Sequence, residues 1–313
     1  MKHSLKITFL LLTMFFVTQM IGIAVVNSYS PHITQVTNET GQVVNVTSYN
    51  LPYGTEPPQG ITPKTSIISI IIALVIAIVV MFILMSIRAE LFLRLWFFFV
   101  ITLSLAITIN AALLGVKNSA IIAVIFALPL AFAKVFRRNI IVHNLTELAI
   151  YPGIAAIFVP LLSLWTISLL FVLISLYDMY AVWHSGFMQK MAKYQIQKLK
   201  VFSGFFVPYL GQKERNMLAK AAKTSKGKTI SKKIKVNVAI LGGGDVVFPI
   251  MLAGVVLGQF GLVSALIISI GATLALAGLF YISKKGKFYP AMPFISLGCF
   301  AALALVYIIN LLI

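Results

Sequence analysis

The chain has 313 residues, 60% hydrophobic and 10% charged, with a mean hydropathy of +1.01 and a formal net charge of +18. A soluble domain is about half apolar and about a quarter charged, so this composition excludes an ordinary soluble protein and calls for lipid around the excess apolar surface. The positive charge does not point to nucleic acid, because the basic residues lie between apolar runs where membrane-orientation signals sit, and the lone Cys299 excludes an intrachain disulfide and a cysteine-based metal site.

An apolar stretch of about 20 residues crosses the hydrocarbon core as a helix. Nine stretches fit: 7–26, 67–87, 91–114, 119–136, 140–160, 161–184, 236–256, 262–282 and 290–312. The first follows Lys2 and Lys6. It is longer than the roughly 7–15-residue core of a signal peptide and no small-x-small cleavage site follows it, so it reads as a retained span. Segment 27–66 is rich in Thr, Asn, Pro and Gly and reads as a loop or small irregular cap. Asn38-Glu39-Thr40 and Asn45-Val46-Thr47 within it match the glycosylation pattern. The fourth stretch is interrupted by Pro129 and carries Lys134 near its end. The fifth has His143, Asn144 and Glu147 in its first turns, and a break near Pro160 separates it from the sixth.

The segment 185–235 is a long basic loop. Phe187 to Lys200 mixes apolar residues and Lys at roughly helical spacing, which favours a membrane-surface element over a free connector. Val201 to Leu210 is apolar but too short to span, and suits the interface or the mouth of a cavity. The expected class is an all-α polytopic membrane protein, a single domain over 1–313. With the N-terminus in the cytoplasm and the C-terminus outside, only Lys64 and Lys117 of the 25 basic residues fall outside. Cytoplasmic loops collect Lys and Arg, so this bias fixes the orientation.

The chain has seven acidic residues, and its only aspartates, Asp178 and Asp245, lie inside apolar stretches. An ionisable side chain at that depth is costly and reads as functional. Counted from the inner ends of their antiparallel spans, the two lie at depths of about 9 and about 13 Å. Two carboxyls at matched depth can face each other and share one proton. The ionised one takes a proton from water, the protonated one donates to a substrate carbonyl, and water attacks the peptide carbon. Two other readings stand beside this one: each aspartate caps a broken helix or pairs with a buried cation, or the two relay ions or protons in a transporter.

The surroundings of the aspartates resemble the intramembrane aspartyl protease family of presenilin and signal peptide peptidase. The resemblance rests on Tyr177-Asp178 in the sixth span, Gly242-Gly243-Gly244-Asp245 in the seventh, and Pro290-Ala291-Met292 at the start of the ninth, where the family has Pro-Ala-Leu. Met is close to Leu in volume and polarity. The resemblance implies Asp178 and Asp245 as the catalytic pair. It also implies that Tyr177, the three glycines and the Pro-Ala-Met segment shape the active site. It further implies single-span or signal-peptide-like membrane substrates, no metal or organic cofactor, and a multi-pass protein of the cell membrane. Val246-Val247-Phe248-Pro249 looks more like signal peptide peptidase, whereas the orientation looks like presenilin. The compactness suggests an archaeal homologue. Self-association is left open.

The glycines also have a direct reading, since bare backbone lets substrate or a neighbouring helix approach closely. Gly271 and Gly278 are expected to serve packing. Pro290 and Pro293 predict extended or irregular chain from Lys287 to Pro293. Such backbone at membrane depth lines a cavity or is buried in protein. It, or the glycine stretch, offers an unwound substrate a strand partner. His143 and Glu147 have i, i+4 spacing, but two residues make no metal site and read as an interfacial polar patch. His184 and Ser185 are adjacent at a span end and do not form a catalytic dyad by adjacency.

Overall fold

In the computed structural model, residues 5–37, 43–57, 63–87, 89–137, 139–185, 203–209, 237–283 and 289–312 are described. The sequon at Asn38 and most of the basic loop lie outside these residues. Seven helices among them are long and apolar enough to cross a membrane. In chain order the helices are α1 (Leu5–Ser28), α2 (Pro63–Ser86), α3 (Glu90–Ala112), α4 (Ser119–Phe136) and α5 (Ile140–Phe158). They are followed by α6 (Leu164–Tyr180), α7 (Gly243–Ile282) and α8 (Met292–Leu312). Within α2 the apolar core is the shorter stretch Ile68–Leu84.

Local chemistry sets several boundaries. Asn139 caps α5 by accepting from Ile141 N and Val142 N, and Ser163 caps α6 by accepting from Thr166 N. Between them Pro160 lies in a 3₁₀ turn, Val159–Leu161, where the sequence predicted a break. Pro129 does not interrupt α4, which runs unbroken through it. α7 is 40 residues long, about 60 Å if straight. Gly261 divides it with φ 80° and ψ −178°, a conformation that needs glycine.

Two short ribbons add to the helical class. In the segment expected as an irregular cap, β1 (His32–Thr37) pairs antiparallel with β2 (Val43–Ser48), which carries Asn45. The second ribbon joins β3 (Gly204–Tyr209) to β4 (Asn237–Gly242), with Gly204 opposite Gly242 and Phe206 opposite Ile240. Residues 237–242, expected as the first turns of the seventh span, are therefore strand, and the helix begins at Gly243.

The main core joins α1, α5, α6, α7, α8 and the second ribbon through residues such as Phe15, Tyr151, Phe171, Phe205, Ile250 and Cys299. A second cluster joins α3, α4 and α5. Small residues bring α7 and α8 together. A Cβ on Gly271 would lie 2.6 Å from Ala302 Cβ, and one on Gly298 would lie 2.4 Å from Ala275 Cβ. Gly278, expected to pack in the same way, has nothing within 4 Å of that position. Ile72, Val75, Ile76, Phe126 and Leu274 are among the large apolar side chains left exposed, as suits contact with lipid.

Candidate active site

Asp178 stands in the last regular turn of α6, before a π-helical turn at Ala181–Ser185. Its side chain is buried, and Oδ2 accepts a hydrogen bond from Met292 N at 3.1 Å. The amide of Ala291 stands beside the same carboxylate. These amides open α8, where the first N–H groups of a helix have no partner of their own. Asp178 therefore caps α8 from a different element and sits at the positive end of its dipole. One turn earlier, Ser175 and Ser296 share a hydrogen bond of 2.8 Å, which holds α6 against α8 at the same level.

Asp245 lies in the first turn of α7, three residues after its N-cap, Gly242. The carboxylate folds back toward Gly242, as the third helical residue of a capping box does. A Cβ on Gly242 would lie 3.1 Å from Asp245 Oδ2, so the bare backbone makes room for that contact. α7 and α8, whose first turns carry Asp245 and receive Asp178, pack on each other along their lengths. Both carboxyls thus stand at helix N-termini, Asp178 against that of α8 and Asp245 in the first turn of α7. Among the described residues no Lys or Arg pairs with either one.

The other expected site residues gather around the pair unequally. Pro290 is buried and non-helical, Ala291 forms a bend, and Met292 is buried as the first residue of α8. Pro293, expected in irregular chain, instead stands in the first helical turn, where its missing N–H costs nothing. Tyr177 is 46% exposed beside the buried Asp178. Gly243 is buried, and a Cβ there would lie 2.6 Å from Ser203 Oγ and 2.7 Å from Tyr151 Oη. Gly244 is exposed, and its nearest neighbour to an added Cβ is Phe248 at 3.9 Å. His184 stacks on Tyr180 with ring centroids 5.7 Å apart.

Three contacts at this end of the bundle lie outside the sequence reading. Buried Gln19 of α1 donates from Nε2 to Val246 O at 3.0 Å, next to Asp245. Lys134 and Glu147, noted separately as weak points of two spans, form a buried ion pair of 2.5 Å between α4 and α5. Breaking such a pair by removing one partner costs about 3–5 kcal/mol. Finally, α5 grips β3. Glu147 Oε1 accepts from Gly204 N at 3.3 Å, and His143 Nε2 donates to Gly204 O at 2.8 Å. Asn144 accepts from Phe206 N at 2.9 Å and donates to Phe206 O at 2.7 Å. His143 and Glu147 are thus spent on the strand and on Lys134. No group of three His, Cys, Asp or Glu stands together among the described residues.

The grip fixes the direction of every backbone group in the ribbon. Alternate residues of a strand point their N–H and C=O to opposite edges. Gly204 and Phe206 point to α5, so Phe205 and Val207 point to β4, where Leu241 and Ala239 meet them. Val238 and Ile240 then point their backbone groups away from β3. That edge has no strand partner among the described residues, and it ends at Gly242, three residues from Asp245.

The family described as signal-peptide peptidase, presenilin aspartyl protease matches this chain over residues 12–312. Two solved structures are similar, both of a presenilin family intramembrane aspartate protease. The one in space group C222 has 18% identity and a TM-score of 0.54, covering 95% of this chain and 99% of its own. The one in P2 has 17% identity and a TM-score of 0.56, covering 96% of each chain. At these identities the likeness shows a shared fold. No curated protein matches the chain.

Proposed function

Because the chain belongs to the signal-peptide peptidase and presenilin aspartyl protease family and is a multi-pass intramembrane aspartic protease, we propose that Asp178 and Asp245 are its catalytic pair. The observation that carries this reading is the placement of the only two aspartates at the N-termini of α8 and α7, two helices packed on each other. One carboxyl takes a proton from water while the other, holding the shared proton, donates to the substrate carbonyl. Backbone amides hold both in place, so neither must reorganise during the reaction. Family membership sets aside the ion- or proton-coupled transporter.

The substrates are single-span or signal-peptide-like membrane helices. A helix hides its peptide bonds in internal hydrogen bonds, so it must unwind before water can attack. The unwound segment needs backbone partners in a poor dielectric, and the open edge of β4 offers those of Val238 and Ile240 by strand addition. A strand added there runs toward Gly242 and the aspartates. Tyr177, the exposed Gly244 and the turn at Pro290, Ala291 and Met292 border that path.

The chain crosses the membrane nine times, with the N-terminus inside. The two arms of α7 cross separately on either side of Gly261, because about 60 Å is twice the hydrocarbon thickness. All the Lys and Arg residues but Lys64 and Lys117 then lie on the cytoplasmic side. The catalytic pair lies near that surface.

The test is incubation of the purified protein in detergent with a labelled single-span substrate. Cleavage that stops when an aspartyl transition-state inhibitor is added is the expected result. Ion flux in liposomes with no cleavage would overturn the reading.

A further inference from the structure

We propose that Asn144, His143 and Glu147 are positioning residues, which clasp β3 from α5 and thereby keep β4 extended and ready to receive substrate. The inference rests on the reading of β4 as the strand that substrate joins, and goes beyond it by naming what holds that strand.

A two-stranded ribbon alone is marginally stable in water. Here one edge of β3 is closed by side chains in place of a third strand. Asn144 satisfies both backbone groups of Phe206, as a neighbouring strand would. Glu147 and His143 satisfy both backbone groups of Gly204. Because His143 donates from Nε2, its Nδ1 carries the lone pair, and Lys134 Nζ approaches that atom at 3.3 Å. Lys134 also holds Glu147. Lys134 of α4 thus sets the orientation of both His143 and Glu147. Phe205 and Phe206 secure the strand further. Phe205 packs edge-on to Tyr151 at 5.8 Å, and Phe206 lies 5.0 Å from the His143 ring.

Two consequences follow. The clasp blocks the β3 edge, so an incoming strand adds on the β4 edge, the side that leads to Asp245. It also orders β4 before substrate arrives, so binding does not have to supply that ordering. Loosening the clasp lowers the fraction of molecules with β4 in place. The apparent affinity for substrate falls by that fraction, while the bound complex, with the ribbon re-formed, still reacts.

Asn144 is half-buried, and truncating it leaves the Lys134–Glu147 pair intact. For Asn144→Ala, cleavage of the labelled single-span substrate should show KM raised about tenfold, the scale of two hydrogen bonds on a strand that must now order itself, with kcat within about twofold. Asn144→Asp keeps the acceptor for Phe206 N and loses the donor, so its KM should fall between those of Asn144→Ala and wild type. An extended peptide transition-state analogue should weaken in parallel with KM, a measurement that needs no turnover. Unchanged KM in Asn144→Ala would overturn the proposal. So would a fall in kcat at constant KM, the mark of a smaller folded fraction. Asp245→Asn measured alongside separates the two ideas. Cleavage by that variant would count against the aspartate pair, whereas an inactive Asp245→Asn with unchanged KM in Asn144→Ala would count against the clasp alone.

Discussion

Asp178→Asn and Asp178→Ala are expected to be equally inactive and unequally stable. Oδ2 of Asp178 accepts from Met292 N at 3.1 Å, with the Ala291 amide beside the same carboxylate. Asparagine keeps an oxygen acceptor at this position and loses the charge, which at a helix N-terminus is worth about 0.3–1 kcal/mol. Alanine leaves buried amides without an acceptor, at a cost of about 1–3 kcal/mol. The Ala variant should therefore be less stable than the Asn variant by roughly 1–2 kcal/mol, the usual scale of a lost helix cap. Thermal unfolding in one detergent, with cleavage of a labelled single-span substrate on the same preparations, reads both quantities. Equal stability of the two variants would refute the capping contact, and substantial cleavage by Asp178→Asn would refute the catalytic role.

Pro290→Leu lets α8 extend backward and draws the Ala291 and Met292 amides off Asp178. A displacement of about 1 Å costs on the order of a hundredfold in rate, so specific activity should fall steeply in a protein that still folds, and near-wild-type turnover would count against the role of this turn. Gly243→Ala places a methyl against Tyr151, which is fully buried. It should lose about 1–3 kcal/mol of stability by overpacking, whereas Gly244→Ala, with its nearest neighbour at 3.9 Å, should unfold like wild type, and equal melting temperatures for all three proteins would contradict the packing at Gly243. Single cysteines within 185–235 should label from the cytoplasmic side and those within 27–66 from outside, over a low background because Cys299 is buried. Reversed labelling would overturn the orientation.

The aspartates were legible because they are rare. Two carboxyls in apolar stretches with no compensating cation nearby in sequence have few structural reasons to exist. The helical membrane class was legible because apolar runs of about 20 residues cross lipid as helices, whereas the strands of a membrane barrel alternate apolar and polar residues. The second ribbon was not legible. Asn237 to Gly242 runs without a break into the apolar start of α7, and a short apolar run does not by itself distinguish strand from buried helix. Its pairing with residues 204–209 depends on a contact distant in sequence. The clasp was hidden in another way. His143, Asn144 and Glu147 stood out as polar residues in a weak span, and Lys134 as a charge at the end of another. Only the packing of α4 on α5 turns them into one cluster. The first ribbon had a signal that went unused, since residues 32–37 and 43–48 are rich in Val and Thr. Pro293 shows the opposite error. A proline close to Pro290 was read as extended chain, although the first helical turn accepts it equally well.

In the proposed mechanism Asp178 and Asp245 act together on water and the peptide bond. The most direct measurement is single-turnover cleavage of a labelled single-span substrate by Asp245→Asn, purified and shown by thermal unfolding to be folded. Asparagine preserves the shape of the side chain and its acceptor toward the Gly242 amide while removing the titratable carboxyl. No cleavage above the uncatalysed background is expected. Cleavage at a rate within about a hundredfold of wild type, the scale at which a general acid or base contributes, would contradict that mechanism.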